Sequence, residues 1–166
     1  RAADCVRCPM QIGTKKNHLP HLASFSESPI VFFTVCTHLR RHVLDCDAAH
    51  DVLRGIWTRS AERNGWYVGD YVLMPEHVHF FARACSGADR MGRWVSMWKS
   101  VSSRALMKRE EVSAPVWQSD YFDRYLRSGE SYGEKWLYVE QNPVRAGLVT
   151  DAEQWPYRGR IHRLGG

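Results

Sequence analysis

The chain has 166 residues, of which 44% are hydrophobic and 25% charged, with a formal net charge of +5. This length predicts one domain with a hydrophobic core, and no apolar run reaches the roughly 18 residues that a membrane-spanning helix requires. No signal-peptide pattern is evident, so we expect a cytoplasmic protein without a membrane partner; the positive charge is compatible with a nucleic-acid partner but does not demand one.

The first part of the chain predicts an arm, a strand and a helix. Residues 1–28 are polar, with scattered proline and glycine, and predict an N-terminal arm or tail. Residues 30–37 are β-branched and aromatic, which is typical of a buried strand. Asp47 is a candidate N-cap for a helix that ends near Asn64, where an Asn-Gly pair predicts a turn.

The central part predicts a β-hairpin followed by a long helix. Strands are expected at residues 66–73 and 77–84, and the short segment 74–76 between them favours antiparallel pairing. A helix is expected to begin within residues 86–89 and to end near Glu110, because apolar residues recur there at helical spacing.

The last part predicts a short strand, a helix and a tail. Residues 121–126 form the expected strand. A capping-box pattern from Ser131 to Glu134 predicts a helix that ends near Asn142, because a proline follows. Residues 150–166 are basic and are expected to be irregular.

The predicted element order is β-α-β-β-α-β-α, and its first six elements match the ferredoxin-like split β-α-β arrangement. The expected fold class is therefore α+β, with an antiparallel sheet, helices on one face and an additional C-terminal helix. The expected domain organisation is an arm at 1–28, a folded domain at 29–149 and a tail at 150–166.

Two histidines stand at alternate positions of the third predicted strand. His77 and His79 therefore point to the same face of the strand, whereas Val78 points to the other face, into a core. Two neighbouring imidazoles form half of a divalent-metal site. Histidines that only satisfy structural hydrogen bonds remain the alternative. Glu76 could orient one imidazole or be a solvated turn carboxylate.

A tyrosine and an asparagine share one face of the last predicted helix. Tyr138 precedes Asn142 by one helical turn and is a candidate nucleophile for forming a phosphotyrosine. The Asn142 amide oxygen could be a further metal ligand, with Gln141 as the substitute. Alternatively, Tyr138 packs against a neighbouring side chain and Asn142 caps the turn that Pro143 begins.

Basic residues near aromatic ones suggest contacts with phosphates. Trp94 and Trp98 could stack bases, although tryptophans at helical spacing are more often core residues. The candidate DNA-binding residues are Arg93, Lys99, Arg104, Arg124, Arg127 and Arg145.

The N-terminal arm contains a possible zinc-binding pattern. Cys5 and Cys8 are followed by His18 and His21, but the gaps are shorter than in a zinc finger, which favours an irregular arm with free thiols. The chain has five cysteines, and an odd number argues against a closed disulfide framework.

Three ordered blocks resemble one known family. Residues 74–81 read MPEHVHFF, residues 116–127 read VWQSDYFDRYLR and residues 136–149 read WLYVEQNPVRAGLV. They are similar to the HUH single-tyrosine (IS200-like) transposases, specifically the REP-associated tyrosine transposase branch. The His-Leu-Pro-His start at 18–21 and the Trp-Pro pair at 155–156 extend the resemblance over about residues 18–157.

The resemblance implies that residues 29–149 are a ferredoxin-like catalytic domain that cleaves and rejoins single-stranded DNA at REP or hairpin sequences. It implies that His77 and His79 bind Mg²⁺ or Mn²⁺, that Tyr138 forms the 5′-phosphotyrosine and that Asn142 is a further ligand. The protein would be a monomer or a homodimer. The alternatives are a domesticated, non-catalytic DNA-binding protein and an HUH replication initiator or relaxase.

Overall fold

The computed structural model describes residues 28–126 and 132–164. Its strands are β1 Val31–Cys36, β2 Trp66–Met74, β3 His77–Ala84, β4 Phe122–Tyr125 and β5 Arg158–Arg160. Its α-helices are α1 Asp47–Asn64, α2 Met91–Leu106, α3 Tyr132–Glu140 and α4 Asn142–Arg145. Short 3₁₀ turns lie at His38–Arg40 and Ala152–Gln154.

The strands form one antiparallel sheet in the order β4-β1-β3-β2-β5. The first four strands, with α1 and α2 as crossovers, confirm the predicted ferredoxin-like α+β fold. β1 and β3 are central, so residues on them are held by hydrogen bonds on both sides. The predicted metal-binding histidines therefore belong to the most constrained part of the sheet.

One face of the sheet packs against α1 and α2. Phe33 and Phe80 stack on this face with their ring centroids 4.8 Å apart, and Trp57, Trp94 and Trp98 are fully buried over them. Aromatic pairs of this kind stabilise by about 0.5–1.5 kcal/mol beyond their buried area. The two tryptophans of α2 are therefore core residues, and the base-stacking interpretation of them is wrong.

The other face of the sheet carries a second, smaller core under α3. Phe32 and Phe81 pack there with Val139 of α3 and with Trp155. Because side chains alternate along a strand, His79 lies on the same face as Phe81. The helix that carries the candidate nucleophile thus covers the face that carries the histidines.

Three predicted helix ends differ from the structure. Cys46, not Asp47, is the N-cap of α1, and its sulfur accepts a hydrogen bond from the backbone N–H of Ala49. α2 is shorter than expected at both ends. Beyond Leu106 the backbone N–H of Lys108 donates to a carbonyl only three residues back, which closes the helix in a tight turn.

The last predicted helix is split into α3 and α4. α3 ends at Glu140, and α4 begins at Asn142 with Pro143 in its first turn. Gln141 is the N-cap of α4. The alternative in which Asn142 caps the turn is therefore wrong, because Asn142 is already inside the helix.

The expectation that the C-terminal tail is irregular is wrong. β5 pairs with β2, and Trp155 is buried in the second core, where its indole N–H donates to the Leu73 carbonyl at 2.8 Å. Apolar burial and strand pairing order this segment even though its sequence has no clear period. The division of the chain into arm, domain and tail stays a prediction.

Several sequence predictions lie outside the described residues. These are the N-terminal arm with the possible zinc ligands Cys5, Cys8, His18 and His21, and the candidate DNA-binding residue Arg127. Over the described ranges no helix is both long and apolar enough to cross a membrane.

Candidate active site

The two strand histidines converge on one point. The Nε2 atoms of His77 and His79 lie 3.0 Å apart, with the rings nearly perpendicular. His77 is buried and His79 is half-buried. The predicted same-face arrangement is thus present, with both Nε2 atoms directed toward each other.

Each imidazole is held through its other ring nitrogen. Nδ1 of His77 lies 3.1 Å from Oε1 of Glu76, and Nδ1 of His79 lies 2.8 Å from the hydroxyl of Thr34 on β1. Such partners fix the orientation of a ligating histidine and raise its basicity. Phe32 stacks on the His79 ring with centroids 5.5 Å apart, which further restricts that ring.

Glu76 is an ionised carboxylate at this site. Burial alone would raise its pKa, but the hydrogen bond and charge of His77, followed by the Arg40 guanidinium, bring the pKa to about 2. Arg40 donates to the same oxygen at 2.9 Å. The orienting role for Glu76 is therefore supported over the solvated-turn alternative.

His79 is held in its neutral form. Burial lowers its pKa well below the ordinary value, and electrostatic interactions with the neighbouring His77, Lys135 and Arg145 lower it further. A neutral imidazole has a lone pair available for a metal ion, whereas a protonated one does not.

The residues that would hold a divalent cation here are His77 and His79. Their Nε2 atoms lie 3.0 Å apart, so both nitrogens could face one ion, and imidazole nitrogen is a common ligand of divalent metals. Within the described ranges no third His, Cys, Asp or Glu completes a cluster. Further ligands would have to be an amide oxygen, water or substrate oxygens, as hard cations accept.

Tyr138 and Asn142 are brought together by Arg145. The Arg145 guanidinium lies 4.1 Å from the centroid of the Tyr138 ring, and its Nη2 donates to the Tyr138 carbonyl at 2.6 Å. The same Nη2 donates to Oδ1 of the buried Asn142. Tyr138 itself is 43% exposed, so a substrate can reach it.

Lys135 connects the tyrosine helix to the histidine face. Its ammonium lies 4.9 Å from the centroid of the Phe32 ring and 5.7 Å from that of Tyr138. Phe32 in turn stacks on His79. A chain of contacts through Lys135 and Phe32 therefore connects the predicted nucleophile with the predicted metal ligand His79.

The other tyrosines near this region have structural roles. Tyr132 donates to the Asp70 carboxylate at 2.5 Å, and burial followed by this bond raises its pKa. Tyr121 and Tyr125 pack against the core under α1 and α2, and burial raises their pKa values too. These three tyrosines are poorer nucleophile candidates than the exposed Tyr138.

The candidate DNA-binding residues are divided between the two faces of the sheet. Arg145 lies in the site, and Arg124 lies on the same face because it pairs directly with Phe32. Arg93, Lys99 and Arg104 lie on α2, which covers the opposite face. The Lys99 ammonium donates to the Gln118 and Ser119 carbonyls, at 2.5 and 3.1 Å.

The family model for the IS200-like transposases matches residues 28–141, which include the histidine pair and Tyr138. The chain belongs to the IS200-like transposase family. Its general function is that of a transposase, with DNA transposition and DNA binding as the associated properties. The resemblance expected from the three sequence blocks is confirmed.

Two curated relatives and one solved structure agree with this assignment. The chain is 26% identical to the REP-associated tyrosine transposase of Escherichia coli (strain K12), over 80% of this chain and 76% of that protein. It is 20% identical to a protein assigned as a REP-associated tyrosine transposase in Haemophilus influenzae (strain ATCC 51907 / DSM 11121 / KW20 / Rd), over 84% of this chain and 83% of that protein. A REP-associated tyrosine transposase solved with a REP hairpin shares the fold. The TM-score is 0.67 and the sequence identity is 20%, over 85% of this chain and 82% of the solved chain.

Sequence reasoning missed three members of the site. Thr34 and Arg40 come from the first strand and the turn after it, far from His77 in the chain. Lys135 lies one turn before Tyr138 on α3, and its helical spacing was the available signal. The contacts of Thr34 and Arg40 depend on strand pairing, which the local sequence does not specify.

Proposed function

We propose that this transposase cleaves and rejoins single-stranded DNA through a 5′-phosphotyrosine at Tyr138, with Mg²⁺ or Mn²⁺ held by His77 and His79. The observation that carries the proposal is the convergence of the two Nε2 atoms on the face of the sheet that α3 covers. The solved relative was bound to a REP hairpin, which supports hairpin DNA as the substrate.

The cleavage step uses the Tyr138 hydroxyl as the nucleophile. Its oxygen attacks the scissile phosphorus and loses its proton to solvent, while the bond from phosphorus to the 3′ oxygen breaks and that oxygen takes up a proton. The products are a 5′-phosphotyrosine and a free 3′-OH. Attack of a 3′-OH on the phosphotyrosine reverses the step, so the phosphodiester energy is conserved for strand transfer.

The surrounding side chains orient the substrate and the ligands. The chemistry that a divalent cation held by His77 and His79 would supply is polarisation of the non-bridging phosphate oxygens and stabilisation of charge on the leaving 3′ oxygen. Glu76 and Thr34 hold the two imidazoles in position through their Nδ1 atoms. The cationic groups of Lys135 and Arg145 beside Tyr138 favour a phosphate at that ring.

A covalent-adduct assay tests this proposal. The protein is incubated with labelled single-stranded hairpin DNA and Mg²⁺ or Mn²⁺, and the products are separated on a denaturing gel. We expect a metal-dependent shifted band that disappears in Tyr138→Phe and in His77→Ala. An adduct that persists in Tyr138→Phe would move the nucleophile elsewhere, and full activity in His77→Ala would contradict the metal site.

The same assay separates the alternatives. DNA that is bound but gives no adduct with any hairpin tested would favour a domesticated DNA-binding protein. A mixture of the Tyr138→Phe and His77→Ala variants tests the expected monomer or homodimer. An adduct in that mixture would mean that one subunit supplies the tyrosine and its partner the histidines, whereas no adduct would favour a site within one subunit.

A further inference from the structure

We infer that Arg145 is a positioning residue that holds Asn142 and Tyr138 together until a DNA phosphate takes over its guanidinium group. The inference rests on the proposed function and adds to it a coupling between DNA binding and metal binding. It assigns Arg145 a role that simple phosphate attraction does not include.

Arg145 contacts both Tyr138 of α3 and Asn142 of α4. Its Nη2 donates to the Tyr138 carbonyl at 2.6 Å and also to Oδ1 of Asn142. Its guanidinium carbon lies 4.1 Å from the centroid of the Tyr138 ring. One side chain of α4 therefore restrains the backbone at the end of α3, the Tyr138 ring and the Asn142 amide.

The contact to Asn142 has a consequence for metal binding. Oδ1 is the atom of Asn142 that would coordinate a hard divalent cation. In the structure that oxygen already accepts from a cationic group, and Asn142 as a whole residue is only 7% exposed, so few other orientations are open to its amide. A guanidinium and a divalent cation repel each other, and both favour the same oxygen. Arg145 in this position thus opposes recruitment of Asn142 as a ligand.

A phosphate offers the guanidinium a stronger partner. Two oxygens of a phosphodiester can accept two parallel hydrogen bonds from arginine, and this bidentate pair joins two opposite charges, which the present bonds to a neutral carbonyl and a neutral amide do not. A phosphate placed beside Tyr138 would therefore draw Arg145 from the Asn142 amide. Asn142 would become available to the cation in the same step that brings the phosphate to the nucleophile.

This arrangement predicts that DNA and the divalent cation bind cooperatively. By thermodynamic linkage, the factor by which DNA strengthens metal binding equals the factor by which the metal strengthens DNA binding. The dependence on Arg145 separates this coupling from the direct bond that a phosphate oxygen can make to the ion, because that bond would persist without Arg145.

Metal affinity without DNA is the first test. Mn²⁺ is titrated into protein carrying Tyr138→Phe, which prevents cleavage, and free Mn²⁺ is measured by electron paramagnetic resonance. We expect Arg145→Gln to bind Mn²⁺ at least about five-fold more tightly than the parent, the lower end of typical coupling. Lys135→Gln is the matched control, because it removes one positive charge beside the same ring without acting on the Asn142 amide.

The second test repeats the titration with a hairpin oligonucleotide selected for binding on a native gel. We expect the DNA to tighten Mn²⁺ binding in the parent and in Lys135→Gln, and to do so much less in Arg145→Gln. Arg145→Lys is a second variant that keeps the charge but lacks the forked geometry. It should bind Mn²⁺ without DNA more tightly than the parent if the bond to Asn142 is the cause.

Two results would overturn the inference. One is equal Mn²⁺ affinity in the parent and in both Arg145 variants, including no measurable binding in any of them. The other is an equal gain in Mn²⁺ affinity in Arg145→Gln and Lys135→Gln, which would leave the loss of one positive charge as the only cause. If either result accompanied a Tyr138-dependent adduct, the proposed function would stand and the role of Arg145 would fail; loss of the adduct itself would count against the proposed function.

Discussion

The Glu76 carboxylate lies 3.1 Å from Nδ1 of His77 and accepts a bond from Arg40 through the same oxygen at 2.9 Å. An ionised carboxylate in this position accepts a hydrogen bond from Nδ1–H of a neutral imidazole, so the lone pair lies on Nε2. The turn that connects β2 and β3 therefore does more than reverse the chain, because it sets which nitrogen of His77 can bind a metal ion.

We expect Glu76→Gln to weaken Mn²⁺ binding by about 10-fold to 100-fold, the range typical of a lost partner to a ligating histidine. Glutamine keeps the shape of the side chain but lacks the charge that orients His77. The measurement is a Mn²⁺ titration, with circular dichroism to establish that the variant is folded.

Glu111→Gln is a matched control for that change. Glu111 is an exposed carboxylate paired with Arg109, so its loss should leave Mn²⁺ affinity unaltered. Equal affinities in Glu76→Gln and the parent would mean that Glu76 has no influence on the metal ligands.

We expect Tyr132→Phe to destabilise the protein by about 1–3 kcal/mol, because it leaves the Asp70 carboxylate without one of its donors. Asp70 is 3% exposed and is also bonded by Arg160 of β5 at 2.7 Å. The measurement is urea unfolding, and the DNA adduct should remain dependent on Tyr138. Loss of the adduct in a folded Tyr132→Phe protein would instead implicate Tyr132 in the chemistry.

We expect Trp155→Ala to lower the free energy of unfolding by about 3–5 kcal/mol, as for other large aromatic side chains removed from a core. Trp155 packs in the second core and bonds the Leu73 carbonyl, so its removal leaves a cavity and an unpaired carbonyl. Thermal or chemical denaturation checks this. An unchanged stability would mean that residues 150–166 are not part of the folded unit.

We expect Arg124→Gln to weaken binding of hairpin DNA. It should also reduce the magnitude of the slope of log affinity against log salt concentration by about 1, which corresponds to the loss of one phosphate contact. Arg124 lies on the histidine face of the sheet, opposite Phe32 in β1. Arg93→Gln is the matched comparison, because Arg93 lies on α2 over the other face. A larger loss of DNA affinity in Arg93→Gln would place the DNA on the helical face.

The local sequence was sufficient for elements whose patterns are strong. The alternation around His77 and His79 predicted their shared face, and the one-turn spacing of Tyr138 and Asn142 predicted a second shared face, where the structure places contacts of Arg145 with both residues. Both features depend on backbone period alone, which adjacent residues specify.

The helix ends and the C-terminal segment were predicted less well. Asp47 is a good capping residue by type, yet Cys46 caps α1 because the Arg109 side chain and the Ala49 N–H both meet its sulfur. Residues 158–160 have no clear strand pattern, and they become β5 because the edge of β2 is available to pair with them. Contacts between distant segments decide such positions.

The sequence by itself determined the order of the first six elements, the fold class, the histidine pair and the helix that carries Tyr138, because each is encoded in a local period or a contiguous motif. Only the tertiary structure decided that Thr34 and Glu76 orient the histidines, that Lys135 and Arg145 flank Tyr138, and that α2 carries its basic residues away from this site. The physical reason is that these relationships depend on strand register and on the face against which each helix packs, and both are set by burial of the whole chain rather than by neighbouring residues.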